Sequence, residues 1–224
     1  MRNDLRQYDE LADQWWEPRG DFAMLTWISA ARVRHLPPGG GLLLDVACGG
    51  GLLAPFVPGW THIGVDLSWP SLLQARDHGV TVARADVLRL PFADAAFDVV
   101  VAGEILEHVT DLPGVVAEVC RVLRPGGTLV IDTIARTWWV RFSSITVAER
   151  LPGGPPELLH DHRLFVDRHE LLALALRHGV RLRLNGIRPS LIDYLRWLMG
   201  SRRAVRMLTT RSTAGLFQGA GVKT

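Results

Sequence analysis

Short, nearly continuous apolar runs recur along the first two thirds of the chain: LLLDVA (42–47), THIGVDL (61–67), VTVARAD (80–86), FDVVVAG (97–103) and GTLVIDT (127–133). Runs of this length and composition predict strands buried on both faces. The stretches between them are turn-rich or helical. The clearest helix is LPGVVAEVCRVL (112–123), with Pro113 in its first turn and Pro125-Gly126-Gly127 as its stop. Strands alternating with helices predict an α/β, Rossmann-like sheet, mostly parallel and covered by helices on both faces. Such sheets bind ligands beyond the carboxyl ends of their strands.

The flanks follow other patterns. Residues 4–35 carry Leu5, Tyr8, Leu11, Ala12 and Trp15, then Phe22, Leu25, Ile28 and Ala31 at helical spacing, broken by Pro18 and Gly20, which predicts two helices. Residues 134–165, with Trp138, Trp139 and four Pro or Gly between 152 and 155, are too irregular for a core element and are expected to form an insertion that lids the site. A helix at about 167–178 and strands at about 180–187 and 215–222 would complete a sheet of seven strands. The chain divides into a helical cap (1–38), a ligand-binding core (40–133), a lid (134–165) and the rest of the sheet with a basic amphipathic helix (166–224), all within one domain.

Bulk properties narrow the classes. A chain of 224 residues, 48% hydrophobic and 21% charged, suits one such domain. Cys48 and Cys120 form no disulfide framework, and neither a signal-type apolar segment nor a run of about 18 apolar residues is present, so a cytoplasmic protein is expected. A net charge of +2 gives no argument for nucleic acid.

The chemistry concentrates at the strand ends. Gly49-Gly50-Gly51-Leu52-Leu53-Ala54 fits the dinucleotide pattern G-x-G-x-x-A, and Asp66 ends the next strand 17 residues after Gly49. Asp45, just ahead of the glycines, would repel a pyrophosphate. It suits a ligand bearing ammonium or sulfonium groups instead. S-adenosylmethionine has both, with a ribose whose hydroxyls Asp66 can accept and an adenine amino group for Asp86, flanked by Val87 and Leu88. A nicotinamide-dependent oxidoreductase or a non-catalytic binding module remain the alternatives from other classes.

The series DVACGGG, GVDLS, ADVLRLPF, FDVVVAGEILEHV and VLRPGGTLVI resembles the class I S-adenosylmethionine-dependent methyltransferases over roughly residues 40–133. Ala47 stands where that family usually has glycine. YDELADQWWEPRGDF, TWISAARVRHL, EILEHV, LLHDHRLFV and GLFQGAGV are similar to the ubiquinone-biosynthesis O-methyltransferases, which methylate catechol-type polyprenylated rings. The resemblance implies cofactor contacts at Arg32, which would pair with the methionine carboxylate, and at Ala47, Gly49, Asp66, Leu67 and Gly103, the last through backbone because the family has a larger side chain there. Its acceptor would be a small aromatic molecule such as a phenol, a catechol or a quinone precursor; a specialised metabolite methylated on oxygen, carbon or nitrogen is the alternative.

The same resemblance associates Glu104, Glu107 and His108 with a divalent metal such as Mg, which would lower a catechol's pKa; the other reading is that these residues pack and handle protons. His160, paired with Asp161, matches a histidine that is either the base or a lid residue. From Tyr194 to Thr224 there is no acidic residue, while Arg196, Arg202, Arg203, Arg206, Arg211 and Lys223 are basic. The helix expected across DYLRWLMGSRRAVRMLTT is either a peripheral membrane contact, a lid over the pocket or a partner surface.

Overall fold

The computed structural model describes residue 4 and residues 6–138, 152–153 and 161–224. In chain order its elements are α1 (Arg6–Glu10), α2 (Ala23–Arg32), β1 (Gly41–Val46), β2 (Trp60–Asp66), α3 (Trp69–Asp77), β3 (Thr81–Arg84), β4 (Phe97–Gly103), α4 (Leu112–Val122), β5 (Leu123–Ile134), α5 (Arg168–Arg177), β6 (Arg183–Pro189), α6 (Leu191–Leu198), β7 (Met207–Thr210) and β8 (Leu216–Val222).

One sheet contains all eight strands, in the order β3-β2-β1-β4-β5-β8-β6-β7. β3 through β5 are parallel, whereas β8, β6 and β7 join antiparallel. The order reverses between β1 and β4, and the crevice beyond their carboxyl ends is the expected ligand position.

Side-chain alternation along the strands supplies two apolar layers. Leu44, Val46, Val100, Ala102, Leu129 and Ile131 pack with Val115, Val119 and Cys120 of α4 and Leu171 and Ala175 of α5. Leu43, Val99, Val101 and Val130 face the other way, against Leu53 and Val57 and the chain following α2. Helix starts follow the local chemistry: the side chains of Ser68, Asp111, Asp167 and Ser190 each accept a backbone N–H from the first turn of α3, α4, α5 and α6.

Two expectations are corrected. The sheet has eight strands rather than seven, because Met207–Thr210 adds an edge strand beside β6. The basic helix expected from Asp193 to Thr210 stops at Leu198. Gly200, at φ +78°, supplies the left-handed residue of a helix stop, and the Ser201 N–H bonds the Arg196 carbonyl across the turn. Arg202 and Arg206 then fold back onto buried Asp193, and the chain leaves as a strand.

Candidate functional site

The turn after β1 carries three left-handed residues, Ala47 at φ +57°, Gly49 at +51° and Gly51 at +77°. Its glycines are also required for space. A Cβ on Gly49 or Gly50 would enter the ring of Trp15, which packs flat on the turn. Trp15 donates to Ser71 Oγ at 2.9 Å and stacks on Phe22, while Trp16 donates to the Gly50 carbonyl at 2.9 Å and stacks on His78. The N-terminal segment is thus bolted onto the glycine turn by adjacent tryptophans. Cys48 packs beneath it against Gly64, and burial pushes its thiol well above the usual range, so it is a packing residue.

On one side of the crevice, Asp66 accepts the N–H of Gly49 and of Ser68, each at 2.9 Å, fixing the end of β2 to the glycine turn. Burial raises its pKa against those bonds. Leu67 is partly exposed beside it. β3 ends at Arg84, two residues short of the expected strand end. Asp86 stands just beyond, exposed and accepting the Leu88 N–H at 2.9 Å in a local turn, with Val87 buried next to it. The Ala85 N–H bonds the Asp66 carbonyl, so the two acidic ends lie side by side. Asp45 is buried behind them, 3.3 Å from His62 Nε2.

On the other side a buried ionic cluster closes the end of β4. Arg32, in the last turn of α2, donates through Nε and Nη2 to the two oxygens of Asp132 at 2.5 and 2.9 Å. Burial works against the guanidinium's charge, but Asp132 outweighs it and holds the pKa above the ordinary value. Glu104 follows Gly103 with φ at +53°, and its N–H bonds the Asp132 carbonyl. Desolvation, then repulsion from Glu107 and Asp132, raises its carboxyl well above the usual range. Glu107 is completely buried, accepts from Thr133 Oγ1 at 2.7 Å, and is pushed up to about 8 by desolvation.

The expected metal set does not assemble. Among the described residues no three His, Cys, Asp or Glu side chains converge on a point that could hold an ion. The Glu107 carboxylate turns into the sheet toward Thr133, and the His108 ring lies edge-on to Tyr8 with centroids 6.3 Å apart. His160 lies outside the described residues, as does most of the expected lid; Asp161 accepts from Arg163.

Two residues went unread in the sequence. Asp132 lies two residues before the end of β5, as Asp45 lies one before the end of β1, and an acid near the carboxyl end of a buried strand is the signal that identifies it. Tyr8 sits over the crevice on α1, and burial raises its hydroxyl's pKa, with Glu107, Asp66 and Glu104 adding to the shift. Its apolar spacing made it look like an ordinary packing residue.

A Rossmann-like sheet with a glycine turn after β1 and acidic ends on successive strands defines a class I S-adenosylmethionine-dependent methyltransferase. Residues 44–131 match the family described as methyltransferase domain. The chain is 35% identical over 190 residues to a ubiquinone biosynthesis O-methyltransferase of Thiobacillus denitrificans, covering 79% of this chain and 82% of that protein. It is 34% identical over 185 residues to one of Idiomarina loihiensis, covering 76% of each. A solved structure of an S-adenosylmethionine-dependent methyltransferase of Thermotoga maritima, described as a possible histamine N-methyltransferase, shares the fold at a TM-score of 0.68 and 19% identity, over 97% of each chain. The chain belongs to the ubiquinone biosynthesis O-methyltransferase family.

Proposed function

We propose that this methyltransferase moves the methyl group of S-adenosylmethionine to an oxygen of a small phenolic or catecholic acceptor of the quinone-precursor type. The observation that carries the cofactor half is the set of acidic side chains, Asp45, Asp66 and Asp86, around the glycine turn after β1. The acceptor half is supported by the curated relatives, which are named for O-methylation in ubiquinone biosynthesis. In this reading Asp66 and Leu67 hold the ribose, Asp86 and Val87 the adenine, and Arg32, Asp45, Ala47, Gly49 and Gly103 the methionine end.

When bound, the cofactor supplies an already activated methyl group, so the protein's task is alignment and proton removal. Trp15 and Trp16 hold the N-terminal segment on the glycine turn, and Tyr8 of that segment meets the His108 ring edge-on. Glu104, His108 and His160 are the groups proposed to manage the acceptor's proton. No step runs through a metal, because Glu104, Glu107 and His108 do not converge; activity is therefore expected to survive exhaustive chelation.

Incubation with S-adenosylmethionine and a panel of catechols, hydroxyquinones and polyprenylated phenols tests the acceptor. Methyl ethers from the catechols are expected. Turnover confined to amine or carbon acceptors would overturn the O-methyl reading.

The same reading places the acceptor's source at an anionic bilayer. No described helix is long and apolar enough to cross a membrane, but α6 turns Leu191, Ile192, Leu195, Leu198 and Met199 outward, three of them more than 60% exposed. Its flanks hold exposed Arg188, Arg196 and Arg203, and the helix's own acid, Asp193, is buried and paired. A symmetric contact with a second copy would set like charges together, whereas a bilayer of anionic lipid meets both the stripe and its flanks. Sedimentation with phosphatidylglycerol-containing vesicles should capture the protein in low salt and fail for Leu195→Glu. Equal recovery with neutral phosphatidylcholine vesicles, or none with either, would contradict the contact.

A further inference from the structure

Gly103, Asp132 and Gln218 lie in one row across three adjacent strands, Gly103 paired with Asp132 and Asp132 with Gln218. α2 crosses this row, and its Arg32 guanidinium occupies the space where a side chain on residue 103 would stand: a Cβ there would fall within the guanidinium itself. Asp132 fixes that placement by accepting both Nε and Nη2. Gln218 locks the acid in turn, donating through Nε2 to Asp132 Oδ2 at 3.3 Å and to the Ile28 carbonyl of α2 at 3.1 Å. Arg32 and Asp132 are both buried, so the pair is shielded from solvent and holds one geometry.

A guanidinium has five N–H groups, and this clamp engages its Nε and one terminal nitrogen. Nη1 makes no hydrogen bond among the described residues, and the guanidinium that carries it stands against Gly103 at the end of β4. We propose that Asp132 is a positioning residue that holds Arg32 over the bare Gly103 so that Nη1 is presented to the carboxylate of the cofactor's methionine moiety. Asp132 is thus a specificity determinant for the cofactor's amino-acid end, and the missing side chain at 103 is the space that the arrangement requires. The inference rests on the reading of Arg32 as the carboxylate contact.

Two ligands separate the inference from that reading: S-adenosylhomocysteine, and S-adenosyl-3-thiopropylamine, the same molecule without its carboxylate. Calorimetry on wild type should show strong preference for the first, and Arg32→Ala should abolish it. Asp132→Asn leaves an amide N–H facing one guanidinium N–H, and Gly103→Ala places a methyl group in the guanidinium's space. Each should weaken S-adenosylhomocysteine by roughly ten- to a hundredfold, as for a lost hydrogen bond between charged groups, while the decarboxylated ligand stays within about twofold of its wild-type affinity. Retained binding of that ligand also reports that both variants fold. If Arg32→Ala leaves the preference intact, the underlying reading fails and the inference with it. If Arg32→Ala removes the preference but Asp132→Asn and Gly103→Ala do not, the reading stands and the clamp is refuted. Tighter S-adenosylhomocysteine binding by Asp132→Asn would also overturn it, since Asp132 would then compete with the ligand for Arg32.

Discussion

At position 47 the backbone takes φ of +57° with an alanine in place, directly ahead of the glycines. A left-handed non-glycine residue costs roughly 1–2 kcal/mol, part of which glycine returns through its freer unfolded chain. Ala47→Gly should therefore raise stability by up to about 1 kcal/mol in urea titrations. Glu107 carries a second residue-scale prediction. Its folded pKa, about 8, lies above the ordinary 4.5, so the unfolded chain releases its proton first. The native state is then the more protonated, and stability falls as pH rises from about 4.5 to about 8. Glu107→Gln removes this slope: its advantage in melting temperature over wild type should grow across that window and level off above it. An advantage independent of pH would mean that the buried carboxyl is ionised throughout. Single residues were legible where a pattern repeated. Asp45, Asp66 and Asp86 stand out as acids in or just after successive apolar runs, whereas Asp132 sits in a run that continues through Thr133 and Ile134 and so looks like part of a strand.

Between elements, the N-terminal segment depends on a contact that helical periodicity does not predict. Spacing marks Trp15 as apolar and buried, but which surface it covers depends on Gly49 and Gly50 offering a flat backbone with no Cβ. Trp15→Ala should cost about 3–5 kcal/mol in denaturation measurements, the usual range for a buried tryptophan, and should weaken cofactor binding because the cap no longer seats. Unchanged cofactor affinity would separate the cap from the site. The strands from β1 to β5 were legible because buried parallel strands read as unbroken apolar runs. The end of α6 was not, because arginines and leucines continued the helical pattern past Gly200. Tertiary pairing of Arg202 and Arg206 with Asp193 prevailed over that local pattern.

Across the whole molecule, the reversal of strand order between β1 and β4 joins the separate pieces. It sets the glycine turn, the Asp66–Asp86 edge and the Arg32–Asp132 cluster around one crevice. The alternation of strands and helices predicts that crevice, while the antiparallel β8, β6 and β7 emerge only from pairing in three dimensions. The central claim is that the crevice binds S-adenosylmethionine through its acidic strand ends, and calorimetry with S-adenosylhomocysteine tests it most directly. Wild type should bind clearly, and Asp66→Ala, which on the proposed reading removes two charge-assisted ribose hydrogen bonds, should bind about a hundredfold more weakly or worse. No binding of S-adenosylhomocysteine by wild type, with tight binding of a nicotinamide dinucleotide in its place, would contradict the account.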